Sequence, residues 1–276
     1  MINTISLVSN SSMKFYPNNT SSSFTCLFDN ELNYSDGDYE IALASFQYKK
    51  SYYSFRGDEK YSFALFSGNE RIHESDVTGN NESVVKIGEI EISPGYYESG
   101  DILVKVLNDY IKDKGLEDYY MFLYDKISQK LVLSFPSEDD RWYKVCFSKD
   151  LARKTGFYSN ETKCYNIHGR AGSSHFAEYT IRLDEIDQLF VSCDLASDLH
   201  QVGNRRTPVL SIVPALNVGF GDNVIFEPKT LIWLPLKRKS FNSAHTYISD
   251  AQGRNVPFTS GTSIVRVEIR RKSIFT

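Results

Sequence analysis

A chain of 276 residues buries roughly three-quarters of its unfolded surface, so a stable core requires neither disulfides nor a structural metal. Its 41% hydrophobic and 24% charged residues are those of an ordinary globular protein, and a net charge of −4 argues against a protein whose main task is to hold nucleic acid. The 14% aromatic share, with 18 Tyr and 18 Phe, leans toward β structure, because these side chains suit a pleated surface.

In chain order, residues 6–23 are rich in Ser and Asn and are interrupted by Pro17, which predicts an extended arm followed by a first strand over Phe24–Phe28. Asp36-Gly37 marks a turn. Beyond it Tyr39, Ile41 and Leu43 alternate with Glu40, Ala42 and Ala44, as a strand requires. Tyr61–Phe66 and Val84–Ile92 read as further strands around a polar loop at 68–83. Ser99 is placed to cap a helix over Gly100–Asp113, whose Leu103, Val106, Leu107, Tyr110 and Ile111 form one apolar stripe. Met121–Asp125 and Lys130–Phe135 flank a short polar link, a hairpin pattern, and Trp142–Phe147 adds a strand. Ser148 then caps a brief helix over Lys149–Thr155, which Gly156 ends in the left-handed conformation.

After a Gly/Ser/His loop at 168–175 the β texture returns, over Glu178–Leu183, Leu189–Leu195, Pro208–Val213, Val224–Phe226, Leu231–Leu236, Phe241–Ile248 and Thr262–Arg271. In the last of these Val265, Val267 and Ile269 face away from Arg266, Glu268 and Arg270. The polar stretch between Leu195 and Pro208 is too long for a tight hairpin, so the chain is expected to change sheets there. This pattern predicts a mainly β fold, a jelly-roll (Greek-key) sandwich of residues 1–92 plus 166–276 with a small α+β insertion at 93–165.

A search for chemistry finds no GxSxG elbow, HExxH, Walker loop or dinucleotide fingerprint, so neither an enzyme nor a cofactor is expected. Gly169–Ser174 is the nearest approach to a phosphate loop, but it lacks the Lys and reads as a structural loop. Cys164, His168 and His175 share one region at a spacing that matches no zinc pattern, so no metal is expected. The run Glu138-Asp139-Asp140 reads as a solvated hairpin tip, and Cys26, Cys146, Cys164 and Cys193 read as buried thiols. His73, His200 and His245 stand alone and read as solvated side chains. No secretory start opens the chain and no apolar run nears the ~20 residues of a membrane span. Synthesis without secretion is therefore expected, with the sequons at Asn10, Asn81 and Asn160 unmodified.

Two features leave alternatives open. The clusters Lys237-Arg238-Lys239 and Arg270-Arg271-Lys272 each follow an apolar strand and are expected near one rim, either as solvated strand ends or as a weak contact with DNA phosphates. Tyr48, Tyr52 and Tyr53 stand in a polar stretch, as anchors for a subunit interface or as core.

Six blocks of the chain, VSNSSMKFYPNNTSSSFTCLF, DYEIALASFQY, PGYYESGDILVKVLN, LARKTGF, LFVSCDLASDLHQVGNRRTPVLSIVP and DAQGRNVPFTSGTSIVRVEIRR, are similar, in order, to the penton (minor capsid) protein of Polinton/Maverick elements and adintoviruses. The loop Asn204-Arg205-Arg206-Thr207 is more basic than the family pattern, and residues 231–239 are less typical of it. The resemblance implies a jelly-roll capsid subunit in the virion of a double-stranded DNA virus or virus-like transposon. It implies a homopentamer at icosahedral vertices, beside the major capsid protein of the same element, with no catalytic residues. The alternative is a receptor- or glycan-binding β-sandwich module that displays the loop Ser67–Ser83. A cupin-like enzyme would need clustered His and carboxylate ligands, whereas the five His are scattered.

Overall fold

A computed structural model describes residues 2–73, 84–158, 166–183, 186–215 and 218–272. Its first elements are β1 (Ile2–Val8), β2 (Ser23–Asn33), β3 (Tyr39–Lys49), β4 (Ser62–Gly68), β5 (Val84–Glu91), α1 (Gly100–Asp113), β6 (Met121–Asp125), β7 (Lys130–Ser134), β8 (Trp142–Phe147) and α2 (Lys149–Thr155). There follow β9 (Asn166–Arg170), β10 (Ser174–Phe176), β11 (Gln188–Cys193), β12 (His200–Val202), β13 (Arg205–Thr207), β14 (Val209–Pro214), β15 (Asn223–Phe226), β16 (Leu234–Pro235), β17 (Ser240–Ser249) and β18 (Ile264–Arg271). The fold is mainly β, a jelly roll with an α+β part, and every strand pair is antiparallel.

Two compact units share the chain, residues 1–52 with 186–276 and residues 53–185. In the first, the sheet β1-β18-β3-β15 and the sheet β14-β11-β17-β2 enclose one core. The alternation seen in the sequence becomes packing there, since Ile41, Phe46, Val265, Val267 and Ile269 of one sheet and Leu189, Val191 and Ile248 of the other are all fully buried. Successive strands are divided between the sheets, β1 and β3 in one with β2 in the other, then β15 and β18 opposite β17. This crossing to and fro distinguishes a jelly roll from a meander.

The second unit has its own core, built from β5-β4-β8-β9, β10-β7-β6 and the two helices. Helix α1 begins where Ser99 Oγ accepts from the Ile102 amide at 3.3 Å, and it buries Leu103, Leu107 and Ile111. Gly156 ends α2 at φ +80°, as expected of a left-handed cap. Ser148 is the N-cap residue by position only; its hydroxyl instead accepts from the Ser62 amide and donates to the Lys60 carbonyl.

Several expectations change. The boundaries at 92/93 and 165/166 move to 52/53 and 185/186, because β4 and β5 pair with β8 in the second unit, not with the sandwich. Of the arm expected over 6–23, residues 6–8 belong to β1, which pairs with β18 over seven residues and buries Leu7. The long polar stretch after β11 does not change sheets: β11 and β14 are direct neighbours, and the stretch between them folds into the small β12–β13 hairpin. Residues 178–183 form no strand; the amides of Tyr179, Ile181 and Arg182 donate to the carbonyls of Gly156, Gln129 and Lys154. Of the 231–236 run, Leu234–Pro235 pairs with β3 and Leu236 forms an isolated bridge with Ala196.

Candidate functional site

The two basic clusters do converge, around the turn 34–39. The Tyr34 amide donates to the Lys239 carbonyl, and the Lys272 amide donates to the Asp38 carbonyl. Lys239 and Lys272 line one cleft of about 200 Å³ with Tyr34 and Tyr39. Most of the charge is answered in place. Lys237 reaches Asp198 at 2.7 Å, Arg238 reaches Asp194 at 2.6 Å, and Lys239 lies 3.6 Å from Asp38. Arg270 pairs with Glu40 at 3.1 Å and lies flat on Trp233, 3.9 Å from the ring centre. Arg271 donates to the Asp36 carbonyl at 2.8 Å. Six basic side chains thus stand among five carboxylates, Asp36, Asp38, Glu40, Asp194 and Asp198, which leaves little free charge for phosphate.

The tyrosine run divides. Tyr48 and Tyr52 are 2% and 4% exposed, inside the sandwich core, where Tyr48 stacks on Phe46 and both rings meet Phe258. They are core side chains, the second of the two readings that the sequence left open. Tyr53 opens the second unit and is 37% exposed. The polar neighbours misled because Lys50 and Ser51 are themselves buried: Lys50 Nζ donates to the Val218 carbonyl at 2.8 Å and Ser51 Oγ to the Ser260 carbonyl at 2.6 Å. Burial pushes the Tyr48 phenol above its usual pKa, and its hydroxyl has no hydrogen-bond partner among the described residues. Tyr48→Phe is therefore expected to stabilise the protein by about 1 kcal/mol, since it removes a buried, unsatisfied hydroxyl. A lower urea midpoint for the variant would show that the hydroxyl is bonded.

His168 on β9 lies near Arg71, His73, Lys144 and His175 of β10, and its Nε2 is 3.0 Å from an Arg71 guanidinium nitrogen. Burial lowers both pKa values below the ordinary 6.5, and for His168 the neighbouring cations lower it further. An imidazole depressed in the folded state is protonated more readily by the unfolded chain. The stability it contributes is present above about pH 6.5 and is lost as pH falls below that value. The drop in urea midpoint between about pH 7.5 and about pH 5.5 should accordingly be smaller in the double variant His168→Gln, His175→Gln than in the parent.

Cys164, one of the three residues that share this region in the sequence, lies outside the described residues. Among the described residues no group of three His, Cys, Asp or Glu could hold a metal ion. Cys26 and Cys193 are buried free thiols, and Cys146 is half-buried. Gly169–Ser174 is a turn closed by Ser173 on the Arg170 carbonyl. In the acidic run, Asp139 accepts from Tyr143 Oη at 2.6 Å and Asp140 pairs with Arg170. His200 and His245 are half-buried, His200 against the Val209 carbonyl and His245 against Ser23 Oγ. No helix among the described residues is long and apolar enough to cross a membrane.

No family model matches the sequence, and no curated protein matches it. The crystal structure of selenomethionine-labelled mavirus penton protein is similar over the whole length, with a TM-score of 0.52 and 12% identity, covering 98% of this chain and 99% of that one. The fold is penton-like.

At that identity the likeness concerns the fold, and it spans both units of the chain. One feature of the penton-like sandwich escaped the sequence reading. It is a cleft of about 570 Å³ beside β11, the β12–β13 hairpin and the turn after β17. Only the excess of basic residues at 204–207 pointed to this region; the facing of Ser192 and Tyr247 depends on strand pairing.

Proposed function

We propose that this chain is a structural penton protein, a minor capsid subunit that assembles as a homopentamer at the vertices of an icosahedral double-stranded DNA particle. The observation that carries the reading is the end-to-end likeness to the mavirus penton protein, which includes the α+β unit as well as the sandwich. The blocks that resemble the penton proteins of Polinton/Maverick elements and adintoviruses give the finer proposal, an element of that kind. Physical logic agrees with a ring. Both sheets of the sandwich end in edge strands, β1 and β15 in one and β14 and β2 in the other, and neighbouring copies in a closed ring can cover such edges. Ile225 on β15 is 64% exposed and Ile232 is 52% exposed, apolar surface of the kind an interface covers.

In this reading the chain is no enzyme and needs no cofactor. Its partners are its own copies and the major capsid protein of the same element, and its place is the capsid vertex. Contact of Lys237, Arg238, Lys239, Arg270, Arg271 and Lys272 with packaged DNA is the weaker part, since local carboxylates already hold most of that charge. The test is light scattering of the purified chain, alone and co-expressed with the major capsid protein. A particle of five times the monomer mass, or vertices filled in assembled shells, is the expected result. A monomer under both conditions would refute the reading. The loop Ser67–Ser83, proposed for receptor display, lies largely outside the described residues.

A further inference from the structure

The cleft beside β11 has a composition the capsid reading does not use. Its volume, about 570 Å³, falls within the roughly 300–1,000 Å³ usual for small-ligand sites. Phe190 of β11 and Tyr247 of β17 supply aromatic lining. One side is the β12–β13 hairpin, turned at Gly203, φ +58°, and anchored where His200 Nδ1 meets the Val209 carbonyl at 3.1 Å.

Three observations point to a ligand. First, Ser192 is completely buried on β11, and among the described residues neither its hydroxyl nor the buried Thr207 hydroxyl has a hydrogen-bond partner. Two unsatisfied hydroxyls in one cleft are unusual in a folded protein, where buried polar groups are nearly always bonded. Second, the charge is unbalanced. Asp250, the carboxylate of the cleft, is occupied by Arg254 Nε at 2.8 Å and by the amides of Gln252 and Arg254, each at 2.9 Å. Arg205 is exposed and has no ion pair among the described residues. Third, β11 is paired with both β14 and β17, and β17 with both β11 and β2, so neither strand offers free backbone groups to an added peptide strand. Recognition falls to side chains: hydroxyls, aromatic rings and one cation.

We propose that this cleft binds an acidic sugar, its carboxylate on Arg205, its ring against Tyr247 and its hydroxyls toward Ser192 and Thr207. The proposal stands on the sandwich alone and does not depend on assembly. Arg205 is the discriminating group, because a charge-assisted bond to a carboxylate is stronger than a neutral one. Tyr247 supplies a face for the ring's C–H groups and fixes its orientation.

The test is saturation-transfer NMR on the full chain, with 3′-sialyllactose as probe and lactose and inorganic phosphate as comparisons. Sialyllactose is expected to bind at least about tenfold more tightly than lactose, and Arg205→Gln to remove that preference. Ser192→Ala, which removes a buried, unbonded hydroxyl, should weaken binding while leaving the unfolding midpoint no lower than the parent's. Arg205 is exposed, so its variant tests the idea even if substitution at Tyr247 disturbs folding. Absence of saturation transfer from sialyllactose would overturn the proposal. So would equal binding of lactose, or displacement by phosphate at similar concentration, which would mark a general anion site. Each outcome is read on monomer or pentamer alike, so a failure here leaves the penton reading untouched, and a failure to assemble leaves this result standing.

Discussion

Gly156→Ala is expected to lower the stability of the second unit by about 3–5 kcal/mol, whereas Gly115→Ala in the same unit should cost only about 1 kcal/mol. Both glycines have positive φ, +80° and +66°, so the conformational penalty of a side chain is similar. Their surroundings differ. A Cβ at position 156 would lie 2.1 Å from the Tyr179 carbonyl oxygen and 2.8 Å from its carbon, while one at position 115 meets nothing within 4 Å. The obstacle at 156 is backbone, held by the Tyr179 amide on the Gly156 carbonyl at 3.1 Å, so no flexible side chain can give way. Trp142 on β8 reports this unit, and urea unfolding followed through its fluorescence is the measurement. Equal losses at the two positions would mean that the chain around Tyr179 yields, and that the approach of the two backbones is not a constraint.

Phe46→Ala should remove about 3–5 kcal/mol from the sandwich, a large part of the 5–15 kcal/mol typical of a domain. Phe46 is completely buried, stacks on Tyr48 at 4.9 Å, and sits on β3, bonded to β18 through Val265 and to β15 through Phe226. Truncation there leaves a cavity between two sheets whose strands are pinned on both sides and cannot collapse into it. The reporter is Trp233, in the same unit. Ile225→Ala on the edge strand is the comparison: at 64% exposure it should change stability by no more than about 0.5 kcal/mol. A similar loss for both substitutions would place the core elsewhere.

Much of the local structure was legible in the residues. The stripe of α1, the link at Lys126–Gln129 between β6 and β7, and the alternation of β18 each became the element expected. These features depend on neighbours within a few positions, where period and capping chemistry decide. The candidate sites were less legible. Tyr48 and Tyr52 sit among polar residues in sequence, yet those residues are buried and bonded to carbonyls more than 160 positions away. The basic clusters were visible, but the carboxylates that answer them come from elsewhere in the chain: Asp38 before β3, Glu40 on it, and Asp194 and Asp198 after β11.

The sequence by itself determined that the protein is mainly β, that a helix-bearing part interrupts a sandwich, and where most strands and both described helices begin and end. Those outcomes follow from side-chain period and end-capping, which act over a few residues. Only the tertiary structure decided which strands are neighbours, and with that the division at 52/53 and 185/186, the pairing of β1 with β18, and the cleft beside β11. An alternating strand advertises an apolar face but not its partner. Tyr61–Phe66 and Phe24–Phe28 look alike as text, and their different cores are settled by packing and hydrogen-bond closure over long stretches of chain.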